Sequence, residues 1–107
     1  LSLDDRTLQK LTNLDYFDLC YNQLTSLSYR HFEDLINLQT FSLRDSQLKT
    51  LDERIFNKLK KLKHLSLNFN KLTSLDDRLF QGLTEIEYLY LDNNQLASLD
   101  YSIYFKI

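Results

Sequence analysis

The chain has 107 residues, 43% of them apolar and 26% charged, a composition that supports one folded domain and excludes a disordered one. Its formal net charge of −2 provides no basic field to collect phosphates, so nucleic acid is not expected as a partner. No apolar run approaches the roughly 18 residues that a membrane span needs.

The sequence contains no Pro and a single Gly, Gly82, although tight turns usually consume both. Some other device must reverse the chain. It begins Leu1-Ser2-Leu3, without initiator Met, basic region or apolar signal core, so any targeting signal is expected outside these residues. Cys20 is the lone cysteine and cannot form an internal disulfide.

Self-comparison finds a 24-residue period with no insertion. Residues 1–10 read as the second half of a unit, with Leu3 in register with Leu27 and Leu8 with Phe32. Four full units follow: 11–34, 35–58, 59–82 and 83–106. Counting each unit's first residue as offset 0, apolar residues recur at offsets 0, 3, 6, 8, 13, 16 and 21. The first unit gives Leu11, Leu14, Phe17, Leu19, Leu24, Leu27 and Phe32, and the fourth gives Leu83, Ile86, Leu89, Leu91, Leu96, Leu99 and Tyr104. Within each unit, the stretch typified by Phe17-Asp18-Leu19 alternates with period two, which predicts a short strand with one buried face. Stacked units then place these strands in a parallel sheet. Asp4, Ser28, Asp52, Asp76 and Asp100 each follow a core leucine and are placed to cap a one-turn helical or 3₁₀ segment on the return.

Offset 11 is polar among leucines: Asn22, Ser46, Asn70 and Asn94. An unpaired polar group inside the stack costs about 1–3 kcal/mol. Amides that bond the backbone of adjacent rungs avoid that cost and turn the chain without Gly or Pro. Ser46 is expected to weaken its rung.

The pattern L-x-x-L-x-L-x-x-N-x-L recurs at residues 14–24, 38–48, 62–72 and 86–96, and through it the chain resembles the leucine-rich-repeat family. The resemblance implies an α/β solenoid, with a curved parallel sheet on the concave face and short helical, 3₁₀ or irregular segments on the convex face. It also implies a secreted protein or receptor ectodomain, as in the Toll-like receptors of innate immunity and matrix proteoglycans. The capping regions typical of such arrays are absent from these residues, and the array is expected to continue in a longer natural chain.

Catalytic signatures are missing. There is no Gly-rich phosphate loop, paired Cys-x-x-Cys or nucleophile elbow, and no cofactor is expected. His31 and His64 fall on different faces and read as ordinary solvated histidines, not a shared metal site. Cys20, beside Arg44 on the next rung, reads as a small residue in a small slot; the rival reading is a contact thiol whose pKa Arg44 lowers. Lys58, Lys60, Lys61 and Lys63 form a dense charge run, with Glu85 and Glu87 one period beyond Lys61 and Lys63 and placed to pair with them. Arg6, Arg30, Arg54 and Arg78 form a convex column beside Asp5, Glu53 and Asp77.

Offsets 5, 7, 9 and 10 look out of the sheet or flank it. From them Tyr16, Asp18, Tyr21, Arg44, His64, Phe69, Tyr88, Tyr90 and Asp92 are taken as the candidate partner-binding set. Aromatics and Arg bring large contact area at little entropic cost, although Tyr and Phe also favour strands for packing alone. The expectation is a non-enzymatic protein-recognition module whose partner is a protein. The alternative is an intracellular scaffold or adaptor, to which a free Cys20 and the lack of Asn-x-Ser/Thr sequons are suited.

Overall fold

The structure, a computed structural model, describes residues 8–24 and 27–96. Four three-residue strands recur at the predicted spacing: β1 (Tyr16–Asp18), β2 (Thr40–Ser42), β3 (His64–Ser66) and β4 (Tyr88–Tyr90). They pair in parallel in the order β1-β2-β3-β4. The register matches the sequence period, with Phe17 opposite Phe41, Phe41 opposite Leu65, and Leu65 opposite Leu89. Each rung therefore stacks on the equivalent residues of the next. Pairing continues past the strands, since Leu19, Leu43 and Leu67 N–H donate to the carbonyls of Ser42, Ser66 and Tyr90 at 2.8–2.9 Å.

The core is a set of columns. Leu35, Leu59 and Leu83 are buried, as are Leu38 and Leu62, Leu43 and Leu67, and Leu48 and Leu72. Rings bind rung to rung. Phe41 meets Phe32 edge-on at 5.0 Å and lies parallel to Phe17 at 5.6 Å, and Phe56 stacks on Phe80 at 6.3 Å. Leu11, in the first of the four units, is 43% exposed, unlike Leu35, Leu59 and Leu83 of the same column. Tyr104, Asp4, Arg6 and Asp100 lie outside the described residues.

On the return side, Ser28 caps a 3₁₀ segment at Tyr29–His31: its hydroxyl accepts from Arg30 N–H, and its own N–H donates to His31 Nδ1 at 3.0 Å. The equivalent turns begin at Asp52 and Asp76, whose carboxylates accept from Arg54 and Arg78 N–H at 2.8 Å. This geometry corrects one expectation. His31 is not solvated but 6% exposed, in a column with Ile55 and Leu79 at offset 20. The tight turn points both offset 20 and offset 21 inward, so the core holds one more column than the period count assigned.

The missing Gly and Pro are replaced by two consecutive residues. At offset 10, Tyr21, Asp45, Phe69 and Asn93 all adopt the left-handed region, with φ of 55–61°. Offset 11 then fills the corner. Asn70 Nδ2 donates to Leu43 and Leu67 carbonyls, while its Oδ1 accepts from Ser46 and Leu48 N–H. Asn94 repeats the pattern with Leu67, Leu91 and Leu72. Ser46 keeps half of it: Oγ donates to Leu19 O at 2.9 Å, but Leu24 N–H turns to the Ser46 backbone carbonyl at 3.2 Å. The shorter side chain does not supply the acceptor that an amide would, and Gln47 beside it takes φ 64°.

Candidate functional site

The outward face of the sheet carries the candidate set because strand side chains alternate: Phe41, Leu65 and Leu89 point into the core, so their neighbours point out. One row runs Tyr16, Thr40, His64, Tyr88, and the next runs Asp18, Ser42, Ser66, Tyr90. Offset 9 adds Cys20, Arg44, Asn68 and Asp92 beside them.

Three groupings emerge on this face. At the β4 edge, the His64 and Tyr88 rings stack at 4.8 Å and 8°, and Tyr90 lies parallel to Tyr88 at 6.5 Å. Tyr88 and Tyr90 remain 48% and 45% exposed, so the stacking leaves half of each ring to solvent. In the middle, the Arg44 guanidinium lies 4.7 Å from the centre of the Phe69 ring. That placement uses a ring held out by the left-handed backbone at Phe69, which is itself 41% exposed. At the β1 edge, the exposed Tyr16 hydroxyl donates to Asp18 at 3.5 Å, and Tyr21 stands at its corner with 68% exposure. Asp92 is exposed beside Tyr90 and accepts from Asn93 Nδ2 at 2.8 Å. All nine candidates thus lie on or beside one face, though as three separate groupings.

Cys20 and Asp18 shift each other's titration in opposite directions. Hydrogen bonds from its side chain and its backbone N–H hold the Asp18 carboxyl below the usual carboxylate range. The thiol itself is pushed up, first by burial and then by its hydrogen bond to Asp18. This overturns the idea that Arg44 activates it: Cys20 Sγ sits 2.8 Å from Ser42 Oγ, in the small slot, as a protonated thiol. Ser42 was the unrecognised partner, visible in the sequence only as a small residue one rung away. Among the described residues no three His, Cys, Asp or Glu side chains converge to hold a metal.

Charges on the rim pair differently from expectation. Lys61 Nζ donates to Asn37 Oδ1 at 2.8 Å, one rung back, not forward to Glu85. Arg54 and Arg78 each grip the aspartate two residues earlier, Asp52 and Asp76, through paired hydrogen bonds at 3.0–3.1 Å. Arg78 also meets Glu53 of the preceding rung, and Arg54 covers the Tyr29 ring at 4.0 Å. Glu53 thus stands beside the arginine column as the spacing suggested, with the capping aspartates Asp52 and Asp76 as further partners, and Asp5 lies outside the described residues.

A parallel sheet of equal 24-residue rungs, sealed by a ladder of asparagines interrupted at Ser46 and bearing variable side chains on one face, defines a repeat solenoid. The leucine rich repeat family profile matches residues 1–48 and 36–96, and the chain belongs to that family. No curated protein sequence matches it. Solved structures do. The glycosylated form of the Toll–Spatzle complex of Drosophila superposes with a TM-score of 0.83 at 32% identity, covering 87% of this chain and 12% of that one. A TLR13–ssRNA13 complex gives 0.89 at 27% identity over 100% of this chain and 16% of that one. The leucine-rich repeat domain of APL1B gives 0.89 at 23% identity over 96% and 31%, a likeness of fold alone. The chain therefore spans no more than about a third of these proteins.

Proposed function

We propose that this chain is a non-enzymatic recognition module, part of a secreted protein or receptor ectodomain of the innate-immune type, that binds a protein partner through its concave face. The observation that carries this reading is the His64, Tyr88, Tyr90 cluster, with Phe69 and Arg44 beside it. Four aromatics on one side of the sheet hold 41–56% exposure (Tyr16, Phe69, Tyr88, Tyr90), while the core beneath is closed without them. Such rings are the usual energetic anchors of protein interfaces. The likeness to the Toll–Spatzle and TLR13 structures supports an extracellular or lumenal setting and a role in ligand recognition. One of those complexes holds single-stranded RNA, but here a net charge of −2 and exposed carboxylates favour a protein.

The test compares the wild-type chain with the Phe69→Ser, Tyr88→Ser, Tyr90→Ser triple variant, both immobilised and exposed in parallel to secreted and to cytosolic proteins of the source organism. A protein held by the wild type and released by the variant supports the reading. A variant that keeps every association contradicts it, and a partner found only among cytosolic proteins would move the module to the scaffold reading.

A further inference from the structure

The first and last of the four described strands share a chemistry. At β1 an exposed Tyr16 stands next to Asp18, and at β4 exposed Tyr88 and Tyr90 stand next to Asp92. Across offsets 5, 7, 9 and 10 the carboxylates Asp18, Asp45 and Asp92 face a single guanidinium, Arg44, and that one is already laid on Phe69. Resting on the recognition reading above, we infer that the partner presents a basic segment, whose Lys or Arg side chains lie against the tyrosines of both strands and are neutralised by Asp18 and Asp92. A cation over an aromatic face gains from the ring quadrupole, and the nearby carboxylate adds a charge partner.

Spacing narrows the occupant. Three strand intervals separate β1 from β4, about 14 Å at roughly 4.8 Å each. An extended segment rises about 3.4 Å per residue, so two cationic residues four positions apart span the same distance. Arg44 lies between the two strands and opposes a third cation there. The occupant is therefore an extended protein segment with two basic residues four positions apart and neutral or acidic residues between them.

The experiment selects from a displayed library of random 12-residue peptides on the wild-type chain, with counter-selection on the Tyr16→Ser, Tyr88→Ser, Tyr90→Ser variant. The isosteric Asp18→Asn, Asp92→Asn variant is used for affinity measurements. Because all five side chains are exposed, circular dichroism of both variants is expected to match the wild type. The expected result is enrichment of sequences with two Lys or Arg four positions apart, weakened about tenfold by the Asn variant and by raised salt. Tyrosine-dependent enrichment of neutral or acidic sequences, or affinity untouched by the Asn variant, overturns the basic-segment inference and leaves the recognition reading standing. No tyrosine-dependent enrichment overturns both.

Discussion

The residues before the amide ladder bear the cost of a turn made without glycine. Tyr21 adopts φ 61° with its ring 68% exposed, and a left-handed L-residue costs roughly 1–2 kcal/mol. Tyr21→Gly is therefore expected to stabilise the chain by about 1 kcal/mol relative to Tyr21→Ala in chemical denaturation, since only Gly removes the strain. Equal stability of the two variants would show that the corner is unstrained. Ser46 makes the complementary case. Ser46→Asn restores an acceptor for Leu24 N–H and should raise stability by about 1 kcal/mol. A fall would mean that the local backbone, with φ 64° at Gln47, cannot relax to accept the amide. The ladder was legible because a lone polar position among leucines needs partners. The left-handed position was not, because Tyr, Asp, Phe and Asn share no preference that announces it.

At the scale of elements, strands and returns obey different rules. The strands were readable because period two and period 24 coincide at Phe17, Phe41, Leu65 and Leu89. The returns were half readable: the caps at Ser28, Asp52 and Asp76 stood out, but the inward turn of His31 did not, although Ile55 and Leu79 at the same offset pointed to a column. Ser28→Ala should cost about 1 kcal/mol, seen as a lower thermal midpoint, because it removes the cap from the turn that buries His31. The Arg grips also predict a pH dependence. Asp52 and Asp76 have carboxyls lowered by hydrogen bonds from Arg54 and Arg78, so their contribution is complete above the unfolded value near 4 and is lost as pH falls through the folded values. Thermal midpoints measured from pH 6 to pH 2 should decline below about pH 4, and less steeply in the Arg54→Gln, Arg78→Gln variant. Identical slopes would show that these exposed pairs contribute nothing measurable.

The whole molecule is a one-dimensional stack, so damage spreads to neighbours. Leu67 is fully buried in the third unit, and its N–H donates to Tyr90 O, which ties that unit to the next. Leu67→Ala should cost about 2–5 kcal/mol and speed amide exchange at Leu43 and Phe69 as well as at its own site. Acceleration confined to residue 67 would contradict a cooperative stack. The strand residues of the sheet face, Tyr16, Asp18, His64, Tyr88 and Tyr90, were legible because alternation decides what points outward, whereas Tyr21 and Phe69 are held out by a left-handed corner that alternation does not specify. How they group was not, because ring stacking such as His64 on Tyr88 depends on rotamers that spacing does not specify. The central claim is that this face, and not the convex side, holds the partner. Its most direct test is the dissociation constant of a captured protein for the wild type, the Phe69→Ser, Tyr88→Ser, Tyr90→Ser variant and a convex Arg54→Ser, Arg78→Ser variant. The account predicts a loss of about 100-fold for the first variant and none for the second; the reverse order would place the interface on the convex side and contradict it.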